Sequence, residues 1–286
     1  MLTINVLGSM QVLEGAADLT PTADKPRRLL ALLALNHGRT SSVAELAEEL
    51  WGQCPPKAWK TTVQTYIVQL RKLLGDQERL DLSGRYEFLS TRPGGYVLHL
   101  ADEMLDVDRF TALYRAGLQA AAAGDDLASV HALAEALRLC RGPALEDMKL
   151  GSQLSIEAVR LSELRLAAIE AFCDGELRLG RHGEVLVDLA GHVARHPTHE
   201  ALCALYMRAL HQADRRVQAL TAFRDLDRAL RRELGLSPSI PLQRLYQAIL
   251  TEDPALCQAV TWPRPAAQVP PRPRRAARSA WPTGSR

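Results

Sequence analysis

The sequence lacks the patterns that cross-link a secreted protein or anchor one in a membrane. Its five cysteines are odd in number and widely scattered, and no two form a C-x-x-C pair, which favours a reducing cytosol over a disulfide framework. The start, MLTINVLGSM, has no basic region followed by an apolar core, and no apolar stretch is long enough to span a bilayer. With 286 residues, of which 47% are hydrophobic and 24% charged, we expect a cytoplasmic globular protein without a membrane partner, long enough for two domains.

Sequence motifs of common enzymes are missing as well. There is no G-x-x-x-x-G-K-[ST] phosphate-binding loop and no G-x-S-x-G nucleophile elbow. His192, His196 and His199 have a metal-like spacing, but the glutamate of an H-E-x-x-H zinc site is absent and Pro197 interrupts the run. We interpret this segment as the end of a surface helix, and we expect no catalytic site, no metal and no cofactor.

Charge is unevenly distributed, although the formal net charge is only +2. Residues 1–100 carry 11 basic and 10 acidic side chains, residues 101–253 carry 18 and 23, and residues 254–286 carry 6 and 0. From Gln53 to Gly75 there are four cations and no anion. The cations are Lys57, Lys60, Arg71 and Lys72. Such a segment suits a partner that carries phosphate groups.

Local signals divide the first hundred residues into short strands, three helices and a hairpin. TINVLG, MQVLEG and ADLT are typical of strands, and a helix follows with Asp24 as its N-cap and Pro26 in its first turn. A second helix begins with a capping box formed by Ser42 and Glu45 and stops at Gly52. After the QCPP loop come a third helix, KTTVQTYIVQLRKLLG, and a hairpin, EFLSTRPGGYVLHL, that turns at RPGG.

Beyond residue 101 the pattern predicts helices only. DVDRFTALYRAGLQAAAAGD and LASVHALAEALRLCRG are followed by a long run from Ser155 to Leu179 and by three further amphipathic stretches that reach about Leu250. GRHGEVLVDL at Gly180 and DRRVQALTAF at Asp214 align with an offset of 34, the period of tetratricopeptide helix pairs. Residues 255–286 are rich in proline and arginine and should form a disordered tail.

The third helix has an apolar side and a polar side that contains no acid. The apolar side carries Val63, Tyr66, Ile67, Leu70, Leu73 and Leu74. The polar side carries Thr61, Gln64, Thr65, Val68, Gln69, Arg71 and Lys72. A merely solvated face would mix acids and bases in i,i+4 pairs, which remains the alternative interpretation. A helix in the major groove of DNA instead turns short polar residues toward base edges and cations toward phosphates, and a hairpin that follows it reaches the minor groove.

The sequence therefore predicts a mainly α protein with two domains. Residues 1–100 form a winged helix-turn-helix with a small β-sheet and a wing hairpin, and residues 101–254 form an all-α, tetratricopeptide-like domain. VAELAEELWGQCPPKAWKTTVQTYIVQLRKLLG together with STRPGGY resembles the DNA-binding domain of the response-regulator winged-helix class. With the following DVDRF and the closing ELGLSPSIPLQRLYQAIL, the chain resembles the Streptomyces antibiotic regulatory protein (SARP) family of transcriptional activators.

The resemblance implies a function and a set of partners. It implies a bacterial transcriptional activation domain behind the winged helix, control of an antibiotic biosynthesis gene cluster, binding of a homodimer to direct repeats in double-stranded promoter DNA, and recruitment of RNA polymerase through contacts that include its σ subunit. The composition, with 30 arginines against 5 lysines, is consistent with a GC-rich genome. The alternative is a tetratricopeptide-like interaction protein without specific DNA binding, for which no salt-dependent affinity for DNA is expected.

The resemblance also assigns roles to individual positions. Gln64, Thr65 and Gln69 match base-facing positions. The positions that usually meet phosphates are matched by Trp51, Thr61, Thr62, Tyr66 and Arg71, and Lys60 and Lys72 add positive charge. Arg92 matches the wing arginine that enters the minor groove, whereas Val68 stands where the class often has a basic residue. Trp51 and Tyr66 fit core positions equally well.

A second surface is assigned to the polymerase. The loop GQCPPKA is longer than a tight helix-turn-helix turn needs and is stiffened by two prolines, and the helix before it carries Glu45, Glu48 and Glu49. The resemblance implies that this side of the domain meets the σ subunit, with Glu48, Glu49, Gln53 and Lys57 as contact residues. The alternative is that Glu45 only completes its capping box and that the other two acids are solvated.

Overall fold

The amino-terminal part of the chain is a small antiparallel sheet. The structure is a computed structural model that describes residues 2–75, 88–101 and 103–252. The three predicted strands are present as β1 (Leu2–Asn5), β2 (Gln11–Glu14) and β3 (Ala17–Asp18), paired in the order β1-β2-β3. Strand β1 buries alternate apolar side chains and β2 buries Val12, as a half-buried sheet requires, whereas both residues of β3 are exposed.

Three helices and a second sheet follow and form the predicted winged helix-turn-helix. The helices are α1 (Asp24–Leu35), α2 (Val43–Trp51) and α3 (Trp59–Leu73). The sheet consists of β4 (Ser41–Ser42), β5 (Leu89–Arg92) and β6 (Gly95–Leu98), in the order β4-β6-β5. Strand β4 was not predicted because two serines carry no alternating apolar pattern. It forms because the N-cap of α2 is extended and pairs with β6.

The capping predictions have mixed outcomes. The box of Ser42 and Glu45 is confirmed, since the Glu45 N–H donates to Ser42 Oγ over 3.1 Å and the Ser42 N–H donates to the Glu45 carboxylate over 2.9 Å. The prediction for Asp24 was wrong, because α1 has Ala23 at its N-cap and no side-chain cap. Asp24 lies in the first turn, where its charge still favours the positive end of the helix.

The remainder of the described chain is helical. The helices are α4 (Asp106–Ala122), α5 (Asp126–Arg138), α6 (Ser152–Arg178), α7 (His182–Arg195), α8 (Glu200–Gln212), α9 (Arg216–Leu234) and α10 (Ile240–Thr251). Four helices rather than three follow α6, because α9 and α10 are separated at Gly235. Helices α7 and α9 begin 34 residues apart, which agrees with the repeat seen in the sequence. Among the described helices, none is long and apolar enough to cross a membrane.

One hydrophobic core joins the winged helix to the first helices behind it. It extends from Leu2 to Ala168 and includes fully buried side chains of β1, α1, α3, α4 and α6. Two smaller clusters fill the spaces between α6, α7 and α8 and between α8, α9 and α10. The domain boundary at residue 100 stays a prediction, but the main core crosses that position. The predicted disordered tail, 255–286, lies outside the described residues.

Candidate nucleic-acid interface

Helix α3 separates a buried side from an exposed polar side. Val63, Ile67 and Leu70 are buried in the main core. The exposed side carries Lys60, Thr61, Gln64, Thr65, Val68, Gln69 and Lys72. Within α3 there is no acidic residue, and Val68 is 52% exposed at the position where the winged-helix class often has a cation. The exposed side can therefore approach a polyanion without repulsion from acidic side chains of α3 itself.

The amino-terminal end of α3 has the features of a phosphate contact. Its N-cap is Ala58, which provides no side-chain cap for the first N–H groups of the helix. The partial positive charge of this helix end lies between Lys57, in the preceding loop, and Lys60, in the first turn. Two hydroxyls bond back to the helix, Thr62 Oγ1 to the Ala58 carbonyl over 3.1 Å and Thr65 Oγ1 to the Thr61 carbonyl over 3.0 Å. Each must rotate away from its carbonyl before it donates to a phosphate or a base.

The placement of Arg71 on the exposed polar face was wrong. Its side chain is buried, with 9% of the residue exposed. Arg71 Nε donates to the Leu89 carbonyl over 2.9 Å, and a terminal guanidinium nitrogen donates to Thr91 Oγ1 over 2.8 Å. Both acceptors belong to β5, so the guanidinium connects α3 to the wing. The helical wheel could not show this, because the partners lie 18 and 20 residues further along the chain.

The wing presents Arg92 at its tip. Arg92 is the last residue of β5 and is exposed, and the turn that follows contains Gly94 with a φ of 84°. The Val43 N–H donates to the Gly94 carbonyl over 3.2 Å. A Cβ on Gly95 would overlap the Ser41 carbonyl, so only glycine lets β6 pack this closely on β4. The wing is thereby attached to the start of α2.

Trp51 and Tyr66 are half-buried and pack against the main core. The Lys25 ammonium lies 5.1 Å from the centroid of the Trp51 ring, a cation–π contact at the surface. Both side chains therefore occupy the core positions that the sequence analysis gave as the alternative to a phosphate contact. Contact of the indole N–H or of the Tyr66 hydroxyl with phosphate stays a prediction.

Of the four residues predicted to contact the polymerase, three are at least partly exposed and one is buried. Gln53 and Lys57 are exposed in the loop between α2 and α3, and Glu48 is half-buried, accepting a hydrogen bond from Ser152 Oγ over 3.2 Å. Glu49 is only 1% exposed, so its placement on the outer face was wrong. It lies on the side of α2 that packs on α6 rather than on the side that faces solvent.

Glu49 caps helix α6 across the predicted domain boundary. Its carboxylate accepts hydrogen bonds from the N–H groups of Gly151, Gln153 and Leu154 over 2.6, 2.9 and 3.0 Å. Arg28 donates to the Glu49 main-chain carbonyl, and its guanidinium lies 3.5 Å from the carboxylate. The negative charge is thus balanced by a buried cation and by the positive end of a helix.

The three histidines form no metal site in the structure. His199 is the N-cap of α8, with Nδ1 3.4 Å from the Leu202 N–H and Nε2 3.3 Å from a Glu170 carboxylate oxygen. Burial, reinforced by the charge of Glu163, raises the pKa of Glu170 to about 7. In the described part of the chain, no group of three or more histidines, cysteines and acids is arranged to hold a metal ion. The interpretation of His199 as part of a helix end is consistent with its capping role.

Comparisons with known proteins agree with this architecture. The family profile described as "Transcriptional regulatory protein, C terminal" matches residues 17–98, and the one described as "Bacterial transcriptional activator domain" matches residues 105–250. The chain is 42% identical over 257 residues to the regulatory protein DnrI of Streptomyces peucetius, covering 89% of this chain and 94% of that protein. This chain belongs to the SARP family of transcriptional activators. The predicted family is thereby confirmed.

Other SARP-related proteins match over most of the chain. The transcriptional regulator RedD of Streptomyces coelicolor is 33% identical, with 88% of this chain and 71% of RedD covered. The regulatory protein AfsR of the same species is 36% identical over 90% of this chain, which spans 25% of AfsR. A solved structure of Mycobacterium tuberculosis EmbR in complex with a low-affinity phosphopeptide aligns with a TM-score of 0.84 and 31% identity, over 91% of this chain and 68% of that one. DnrI and AfsR are thus regulatory proteins, and RedD is a transcriptional regulator.

Proposed function

We propose that this SARP-family chain activates transcription by binding specific promoter DNA through α3 and the wing. The observation that carries the proposal is the acid-free exposed side of α3, bordered by Lys60 and Lys72 and followed by a wing with Arg92 at its tip. In this arrangement Gln64, Thr65 and Gln69 face the major groove, and Arg92 enters the neighbouring minor groove. Lys60, Thr61, Thr62 and Lys72 contact phosphates.

The proposal includes a mode of assembly and a target. Two copies bind direct repeats head to tail as a homodimer on DNA, because one winged helix covers a modest surface and repeats about one helical turn apart face the same side of the duplex. Glu48, Gln53 and Lys57 then face RNA polymerase and its σ subunit. DnrI, RedD and AfsR are regulatory proteins of Streptomyces, and the genes controlled here are proposed to belong to a secondary-metabolite cluster.

The DNA-binding proposal is tested with the full-length chain and two duplexes. The first is selected from a random-sequence library by the protein itself, and the second is a scrambled version of it. Fluorescence anisotropy at two salt concentrations should give tighter binding to the selected duplex, and log affinity should fall with log salt at a slope of about −0.9 for each phosphate contacted. A chain that selects no sequence and shows no salt dependence would instead be a tetratricopeptide-like interaction protein.

A further inference from the structure

The wing is held in place at both of its strands. On one side, β6 pairs with β4 at Ser41 and Ser42, and Gly95 packs directly on the Ser41 carbonyl. On the other side, the buried guanidinium of Arg71 donates from α3 to the Leu89 carbonyl and the Thr91 hydroxyl of β5. Arg92 follows Thr91 directly, so the strand that carries the wing cation is the strand that Arg71 holds.

We propose that Arg71 is a positioning residue that fixes Arg92 relative to the recognition helix. The inference rests on the proposed function, in which α3 reads the major groove while the wing enters the minor groove. The duplex is rigid, so α3 and the wing can reach their two grooves at the same time only if the distance between these two elements is fixed. Arg71 therefore acts on DNA affinity through Arg92 and not by touching a phosphate.

The choice of arginine matches this role. The two acceptors are a main-chain carbonyl and a side-chain hydroxyl two residues apart on one strand, and a planar fork of fixed donors reaches both at 2.9 and 2.8 Å. A lysine keeps the charge but offers a single ammonium on a flexible stem. Arg71→Lys should therefore weaken binding nearly as much as Arg71→Met, whereas a phosphate role would let lysine retain most of the affinity.

A double-mutant cycle on the full-length chain tests the proposal, with the selected duplex as the probe. Arg71→Met and Arg92→Ala should each weaken binding about tenfold, the loss of roughly 1.4 kcal/mol. The double variant should also be weakened only about tenfold, because both changes remove the same contact. A loss of about a hundredfold in the double variant would overturn the proposal, since the two residues would then act independently.

Lys72→Ala is the matched control, because Lys72 is the next residue on α3 and is exposed. In the Arg92→Ala background, Lys72→Ala should weaken binding further and reduce the salt slope by about one unit, while Arg71→Met should change neither. A reduced slope from Arg71→Met in that background would identify a phosphate contact and overturn the inference.

Thr91→Val keeps the proposal testable if Arg71→Met does not fold, as judged by circular dichroism. This change removes the hydroxyl that accepts from Arg71 and places a good strand former in β5. With Arg92 present, Thr91→Val should weaken binding about threefold, which is the effect of losing one hydrogen bond. In the Arg92→Ala background it should not weaken binding further. A wild-type chain that selects no duplex would overturn the proposed function together with this inference, whereas additive losses in a chain that binds would overturn this inference alone.

Discussion

At the scale of single residues, the buried carboxylate of Glu49 links α2 to the start of α6 and lies beside the Arg28 guanidinium. Glu49→Gln keeps its volume but removes the buried carboxylate charge beside the Arg28 guanidinium, which then has the more exposed Asp24 carboxylate 3.6 Å away, and breaking a buried pair costs about 3 to 5 kcal/mol. We expect a corresponding fall in the free energy of unfolding, measured by urea denaturation of the full-length chain. Glu48→Gln is the control, because this neighbour is half-buried and should change stability by less than about 1 kcal/mol. Equal effects of the two changes would contradict the capping role of Glu49.

Asp106 provides a pH-dependent prediction. Its Oδ2 accepts hydrogen bonds from the N–H groups of Val6 and Leu7, both over 2.8 Å, and burial raises its pKa from 3.8 to about 6. Because the folded state holds its proton more tightly than the unfolded state, stability should fall as the pH rises from about 4 to about 7. Asp106→Asn keeps the accepting oxygen without the charge, so thermal melts over this range should show a smaller fall than in the wild type. An identical pH profile for both proteins would remove Asp106 as the cause.

At the scale of elements, most of the features predicted from neighbouring residues are present, although the predicted cap at Asp24 is not. The capping box of α2, the RPGG turn and the apolar side of α3 depend on neighbours within a few residues, and all three are present. Arg71 and Glu49 were misplaced because their partners lie 18 to 20 and 102 to 105 residues away. No helical periodicity shows that an acid on α2 meets the start of α6.

Base reading by α3 can be separated from phosphate contact. Gln64→Ala and Gln69→Ala should each cost about 1 to 3 kcal/mol on the selected duplex and little on its scrambled version, because glutamine reads base edges through paired hydrogen bonds. Lys72→Ala should weaken both duplexes alike. Anisotropy titrations of the three variants on both duplexes make the comparison. If a glutamine variant lost affinity equally on both, that side chain would read no base.

Activation should depend on Glu48, the acid of α2 that is partly exposed, and not on the buried Glu49. Reversing the charge of Glu48 should abolish activated transcription in a reconstituted system while leaving DNA affinity unchanged, because Glu48 lies in α2, outside α3 and the wing. Promoter-dependent transcripts and anisotropy on the same DNA give the two readouts. Glu49 is unsuitable for this test, since its buried cap makes any loss a matter of stability. A parallel loss of affinity and activation would argue against a polymerase contact.

At the scale of the whole molecule, the shared core joins the winged helix to the helical region. Asp106 accepts hydrogen bonds from the end of the first sheet, Asp147 accepts from the Met10 N–H over 2.9 Å, and Ile4 donates to the Met104 carbonyl over 2.7 Å. Together with the Glu49 cap, these contacts attach α4, α6 and the segment between α5 and α6 to the first sheet and to α2. Movement of α6 would therefore carry α2 with it, and with α2 the proposed polymerase surface.

A fragment of residues 1–100 tests how far the winged helix depends on this attachment. It removes Leu105, Val107 and Phe110, which are all at most 1% exposed, and each such side chain contributes about 1.5 to 3 kcal/mol when buried. We expect the fragment to bind the selected duplex more weakly than the full chain and to lose cooperative thermal unfolding. Residues 1–179 are the control, because they retain the whole main core through Ala168 and should unfold cooperatively. If the short fragment unfolded with the cooperativity of the control and bound with the affinity of the full chain, the helical region would serve assembly or partner binding alone.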